Sequence, residues 1–145
     1  KYLERGPHRV VFEMARVDHI GIATESIDES SEFWAMLGFK SSGDDIVESQ
    51  GVKIRYMEGG GDCRIELLEP LGEQTPVGKF IRNKGVGIQQ VAISVKNIDK
   101  TISSLLGKGV RMINEEAVEG SSEHRIAFIH PSSTGGVLVE LVEYH

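Results

Sequence analysis

Residues 17–28 read VDHIGIATESID, and residues 89–99 read QQVAISVKNID. Superposed, His19 falls on Gln90, Ile27 on Ile98 and Asp28 on Asp99, at a constant offset of 71. Gly38 falls on Gly109 at the same offset. Farther on, VKIRYM at 52–57 matches HRIAFI at 124–129, and CRIELLE at 63–69 matches VLVELVE at 137–143, which sets Glu66 on Glu140. Self-similarity on this scale means two copies of one supersecondary unit. The copies occupy 17–70 and 88–145, joined by a linker at 71–87.

Each copy reads strand, helix, then three strands. In the first strand Ile20 and Ile22 share one face, and Val17, His19, Gly21 and Ala23 share the other. In its counterpart Val91, Ile93 and Val95 oppose Gln90, Ala92 and Ser94. The large residues are expected to pack on a helix, and the small ones leave room on the far face around one polar group. Ser26, with Glu29 three residues on, predicts a capped helix carrying Ile27, Phe33, Trp34 and Leu37 and stopping at Gly38. Asn97 predicts its counterpart, with Ile98, Ile102 and Leu105, ending at Gly107 or Gly109. The linker has its own short helix, capped by Thr75, with Pro76 in its first turn, Phe80 and Ile81 apolar, and Gly85 as the stop. Gly59-Gly60-Gly61-Asp62 lies between strand patterns and reads as a turn, because no helix start follows it. The predicted fold is α+β: two βαβββ modules forming a curved eight-stranded mixed sheet around a cleft, with a pseudo-twofold axis bringing equivalent residues together.

Composition bounds the rest. The chain has 145 residues, 39% hydrophobic and 26% charged, which is the composition of one globular domain. Residues 1–13 (KYLERGPHRVVFE), with a Gly6-Pro7 break, fit the pattern poorly, and Met14 opens MARVDHIGIA. They are expected to be an N-terminal extension preceding a single domain at 14–145. A net charge of −6 without a basic run argues against nucleic acid or an anionic membrane as partner. No apolar run approaches the roughly 20 residues of a membrane span. The single cysteine, Cys63, excludes a disulfide scaffold and a cysteine-rich zinc site, and fits a cytoplasmic protein.

Four polar residues fall where burial would be costly. In the last strand Glu140 shares a face with Leu138 and Val142, opposite Val139 and Leu141. A buried glutamate without a partner costs free energy. Glu66 is its counterpart, sharing a face with Arg64 and Leu68, and His19 and Gln90 lie on the small-residue faces of the first strands. Singly, each has an ordinary reading: an edge-strand glutamate faces solvent, and a lone histidine makes a structural hydrogen bond. The repeat makes them a set. One imidazole nitrogen, one amide oxygen and two carboxylates suit a divalent metal with open positions for water or substrate. His19, Glu66, Gln90 and Glu140 are therefore the candidate metal ligands. His8, His124, His130 and His145 lack such a partner and read as surface or turn residues.

Three stretches carry a family likeness: VDHIGIA at 17–23, IELLEPLGEQTPVGKFI at 65–81 and HPSSTGGVLVEL at 130–141. With the repeat, they resemble the vicinal oxygen chelate superfamily, which includes glyoxalase I, ring-cleaving dioxygenases, bleomycin-binding proteins and methylmalonyl-CoA epimerases. The resemblance covers nearly all of 16–143 and is greatest to the epimerases. It implies a glyoxalase-like domain whose metal ligands fall on His19, Glu66, Gln90 and Glu140. It also implies one divalent ion (Zn, Co, Ni, Mn or Mg) and a homodimer. The implied chemistry is proton transfer at the carbon next to a thioester carbonyl, with Glu140 as the candidate catalytic base. The substrate it implies is an acyl-CoA, or another thioester or thiol adduct. Arg55, Arg64, Lys79 and Arg82 could receive its charges, against their ordinary reading as solvated surface groups.

Two positions depart from the epimerase pattern. Epimerases usually read GIHH where this chain has GIQQ at 87–90, so Gln90 replaces a histidine ligand. They also usually carry a glutamate two residues before the glycine of VESQGV (47–52), where this chain has Ser49. Glu48 is next to it, but neighbouring strand residues face opposite ways unless a bulge re-aims one. The resemblance thus admits two alternatives to an epimerase: a glyoxalase-type isomerase of the lactoylglutathione lyase kind, and a non-catalytic small-molecule-binding protein.

Overall fold

The computed structural model describes residues 15–145, so the extension expected at 1–13 lies outside the described residues. Its first half runs β1 (Arg16–Ala23), α1 (Ile27–Met36), β2 (Lys40–Val47), β3 (Val52–Glu58) and β4 (Arg64–Pro70). Helix α2 (Pro76–Lys84) follows. The second half runs β5 (Gly87–Ser94), α3 (Ile98–Gly107), a two-residue β6 (Val118–Glu119), β7 (Arg125–Ile129) and β8 (Val139–Glu143). The eight strands form one mixed sheet in the order β2-β3-β4-β1-β5-β8-β7-β6. Read outward from the centre, the halves run β1-β4-β3-β2 and β5-β8-β7-β6, the same path twice. The parallel pairs β1/β4 and β5/β8 are equivalent, and the antiparallel pair β1/β5 joins the halves.

The predicted caps are present. Ser26 Oγ accepts from the Glu29 amide at 3.2 Å, Thr75 Oγ1 from Gly78 at 3.1 Å and Asn97 Oδ1 from Lys100 at 3.1 Å. Each such cap stabilises by about 1 kcal/mol. The repeat adds a second device: Glu69 takes the Ile27 amide at 2.9 Å, and its equivalent Glu143 takes the Ile98 amide at 2.8 Å. Each fastens a strand end to the positive end of a helix.

Alternation divides the sheet. Ile65 and Leu67 of β4, with Met57, Ile20 and Ile22, pack beneath Ile27 and Trp34 of α1. Ala127, Ile129, Leu141 and Ile93 do the same beneath Ile98, Ile102 and Leu105 of α3. Each aliphatic side chain fully buried in these layers contributes about 1.5–3 kcal/mol. The stripe on α1 is narrower than its sequence suggests, since Phe33 and Leu37 stand 52% and 60% exposed. Helix α2 packs on the other face, with Val77 against Val52, Ile54 and Leu68, and so walls one end of the cleft. No helix among the described residues is long and apolar enough to cross a membrane.

The central pair departs from regular pairing twice. Its register shifts between Val17 and His19, and again between Gly21 and Ile22. The first shift leaves Asp18 as an extra residue on β1, and the second leaves Gln89 as an extra residue on β5. The two are equivalent under the repeat. Each bulge breaks the alternation, so Asp18 and His19, and likewise Gln89 and Gln90, all line one cleft.

Candidate active site

The concave face holds a cleft that reaches both halves of the sheet. Its walls are apolar, with Val52, Ile54 and Leu68 on one side and Ile126, Phe128 and Leu138 on the other. Its floor is polar. His19, Glu66, Gln90 and Glu140 are all buried there, as expected for a set, and so is Asp18. The His19 ring is the centre of the cluster. Its Nδ1 lies 2.7 Å from Asp18 Oδ2 and 3.2 Å from Glu66 Oε2, and its Nε2 lies 3.2 Å from Glu140 Oε1. The Gln90 amide nitrogen donates to Glu140 Oε1 at 2.7 Å and stands 3.4 Å from His19 Nε2. Gly21 makes this approach feasible. A Cβ there would meet Gln90 Cγ at 2.6 Å and Leu68 Cδ1 at 3.0 Å.

Arg64 completes the cluster. Its Nε and Nη2 both donate to Glu66 Oε2, at 3.0 and 2.6 Å, and Nη2 lies 3.5 Å from Asp18. Its guanidinium stacks over the Tyr56 ring with 5.3 Å to the centroid. The Tyr144 hydroxyl donates to the Asp18 carboxylate at 2.7 Å.

Electrostatics follow from the packing. Burial opposes a charge on His19, but hydrogen bonds to Asp18 and Glu140 and the charge of Glu66 outweigh it and raise the imidazole to about 9. Burial pushes the Glu66 carboxyl up against the pull of His19 and Arg64. Asp18 goes the other way, because His19, Tyr144 and Arg64 overcome its burial and hold it below the usual carboxylate range. The Tyr144 phenol is pushed up to about 12 by burial and by Asp18.

The family model described as Glyoxalase/Bleomycin resistance protein/Dioxygenase superfamily matches residues 18–128. The chain belongs to the glyoxalase/bleomycin resistance/dioxygenase superfamily. Within it, the chain is 32% identical to the mitochondrial methylmalonyl-CoA epimerase of Bos taurus, over 90% of this chain and 75% of that one. A solved methylmalonyl-CoA epimerase in complex with methylmalonyl-CoA and NH4+ is 36% identical, covers 90% of this chain and 95% of its own, and has a TM-score of 0.85. The structure of hypothetical protein BH1468 from Bacillus halodurans is 44% identical over 92% of this chain and 96% of that one, with a TM-score of 0.88. This member of the superfamily is an enzyme of the epimerase type.

Several expectations take a different form in this superfamily member. Of the four cations considered for the cleft, Arg64 alone lines it. Arg55 is taken up by Asp44 at 2.7 Å and Asp28 at 3.1 Å, and Lys79 and Arg82 of α2 lie outside the lining. Glu48 is not re-aimed inward. The chain makes a 3-10 turn at Glu48–Gln50, Glu48 is exposed, and the residue that reaches the cleft is Gln50. His124, read as a surface or turn residue, instead lines the cleft and packs edge-on against Tyr144, with ring centroids 4.2 Å apart. His130 does form the expected turn, its Nδ1 accepting from the Ser132 amide at 3.0 Å. Asp18 and Tyr144 are the residues that sequence reasoning missed. Asp18 sits on a bulge that periodicity hides, and Tyr144 lies beyond the last strand.

The donor set fits a divalent cation. Three carboxylates surround one imidazole and one guanidinium, so the buried cluster carries excess negative charge even with His19 protonated. One nitrogen and several oxygen donors suit first-row divalent metals. Two groupings offer themselves. Asp18, His19 and Glu66 bring ligand-capable atoms within 4.8 Å of one another. That side, however, is filled by the Asp18–His19 hydrogen bond and by Arg64. The Nε2 side, facing Glu140 and Gln90, holds no cationic side chain among the described residues. Gln90 turns its amide nitrogen that way, and rotating the amide by half a turn would present oxygen instead.

Proposed function

We propose that this chain is a divalent-metal-dependent epimerase of acyl-CoA thioesters with an acidic α-hydrogen, of the methylmalonyl-CoA type. One observation carries the reading: His19, Glu66, Gln90 and Glu140, two from each half of a duplicated fold, meet on the floor of one cleft in a chain whose relatives include methylmalonyl-CoA epimerases. His19, Gln90 and Glu140 would hold the ion, joined by Glu66 once its carboxylate turns from the Nδ1 side where Arg64 holds it, and Asp18 would fix the imidazole from its other nitrogen, a common outer partner of a ligating histidine. A bound divalent ion supplies Lewis-acid charge that makes the hydrogen beside the thioester carbonyl more acidic.

The chain's own groups supply the rest. Apolar walls from both halves exclude water and seat the acyl group. Glu140 is the base that takes the α-proton; in the ion-free cleft its carboxylate is held by the Gln90 amide nitrogen at 2.7 Å, a contact that Gln90 gives up when its oxygen turns to the ion. Inversion requires a proton delivered from the opposite face. Tyr144, whose phenol keeps its proton, and His124 are the further titratable groups lining the cleft that could return it, because Ser49 replaces the epimerase glutamate and Glu48 points away.

That missing carboxylate supports a second reading. A glyoxalase-type isomerase moves a proton between adjacent carbons, for which one base on one face suffices. The two are separated by assay of the metal-loaded chain and its Glu140→Gln variant. The epimerase reading expects about one divalent ion per chain and, in deuterated water, α-exchange of methylmalonyl-CoA with inversion, reduced at least ~100-fold in Glu140→Gln. Turnover of a hemithioacetal without exchange of the thioester would give the isomerase reading instead. No bound metal and no turnover of either would overturn both.

A further inference from the structure

Arg64 is in an unusual place for a cation. It stands beside a residue proposed to ligate a doubly charged ion, and it already makes two hydrogen bonds to one oxygen of that residue, Glu66 Oε2, at 2.6 and 3.0 Å. Its side chain is only 17% exposed and lies on the Tyr56 ring. A guanidinium keeps its proton at any working pH, so its charge cannot be titrated away to make room for another cation. It can only change partners. A second seat is in reach: Asp18 Oδ2 lies 3.5 Å from Arg64 Nη2, and that carboxylate is already oriented by Tyr144.

We propose that Arg64 is a resident cation that competes with the divalent ion for Glu66 and so sets the affinity of the metal site. In the metal-free cleft it neutralises Glu66, which would otherwise be a buried charge with only His19 against it. As the ion is taken up, Glu66 turns to it and the guanidinium closes on Asp18. The device keeps the empty site folded and weakens metal binding by charge repulsion at short range. It rests on the metal-binding reading of the preceding subsection and assigns Arg64 a part in positioning and regulation, not in proton transfer.

The test is the dissociation constant for Co2+ or Zn2+, measured on the metal-stripped full chain by competition with a chromophoric chelator. Wild type is compared with Arg64→Gln and Arg64→Lys. Arg64→Gln is expected to bind at least ~10-fold more tightly, and Arg64→Lys, which keeps the charge but loses the two-pronged grip on Glu66, ~2- to 5-fold more tightly, still with one ion per chain. A purely structural role predicts the reverse, a weaker site. Equal or weaker binding by folded Arg64→Gln overturns the proposal while leaving the metal reading intact. Should Arg64→Gln fail to fold, Arg64→Lys decides by the same sign. Absence of metal from wild type and both variants overturns the metal reading and this proposal together.

Discussion

His19 illustrates how one side chain can hold a buried cluster together. Without metal it sits between Asp18 and Glu140 and is charged up to about pH 9, whereas an unfolded imidazole loses its proton near 6.5. The folded value is the higher one, so the stability that this charge contributes is complete below pH 6.5 and is lost as the pH rises through about 9. The raised carboxyl of Glu66 acts in the same direction. In the presence of a chelator the urea midpoint is therefore expected to fall between about pH 6 and about pH 10. The difference is on the order of 3 kcal/mol, and it should be largely absent in His19→Asn. A midpoint that rises over this range would mean that His19 is buried uncharged. An ion held as proposed would take the proton's place on the ring, so the metal-loaded protein should show a much flatter profile.

At the scale of elements, the two bulges of the β1/β5 pair do the positioning. Without them Asp18 and Gln89 would face the helices, by the alternation that governs Ile20 and Val91. Gly21 is part of the same device, because it leaves the space into which the Gln90 side chain descends. Gly21→Ala is expected to destabilise by about 1–3 kcal/mol through overpacking and to lower metal content in the same step, read by urea unfolding and metal analysis. An alanine variant with wild-type stability and full metal content would show that Gln90 has another way in. These elements also mark the limit of sequence reading. The paired βαβββ path, the three caps and the convergence of His19, Glu66, Gln90 and Glu140 were all legible, because period and repeat encode them directly. Asp18 was not, because a bulge leaves no trace in a period-two pattern. Nor was the exposure of Phe33 and Leu37, because an apolar side chain at helical spacing does not by itself show which residues the sheet will cover. Nor was Arg64's hold on Glu66, although both were assigned to one face, since shared facing does not say which of two cations a carboxylate will take.

At the scale of the molecule, the halves repeat each other down to the glutamates that anchor their helices, Glu69 and Glu143. They diverge on the floor of the cleft: His19 and Gln90 are equivalent in position and unlike in side-chain type, and Asp18 has partners that its equivalent Gln89 lacks. Among the described residues, the sheet junction between the halves is the antiparallel pairing of β1 with β5, which looks the same from either side. That symmetry makes the protein divisible. Two fragments cut after α2 should reassociate when mixed, since each keeps its own helix-covered layer and needs only the shared edge. The mixed pair would restore the imidazole–amide combination. Two copies of the first fragment, joined along the same edge, would instead carry paired imidazoles and paired carboxylates but also two copies of Arg64, and should bind metal more tightly than the parent only when Arg64 is replaced by Gln. Co-refolding followed by metal analysis would distinguish the assemblies. The duplicated architecture would then be seen to work as two interchangeable half-sites, with the differences between them tuning what the whole can hold.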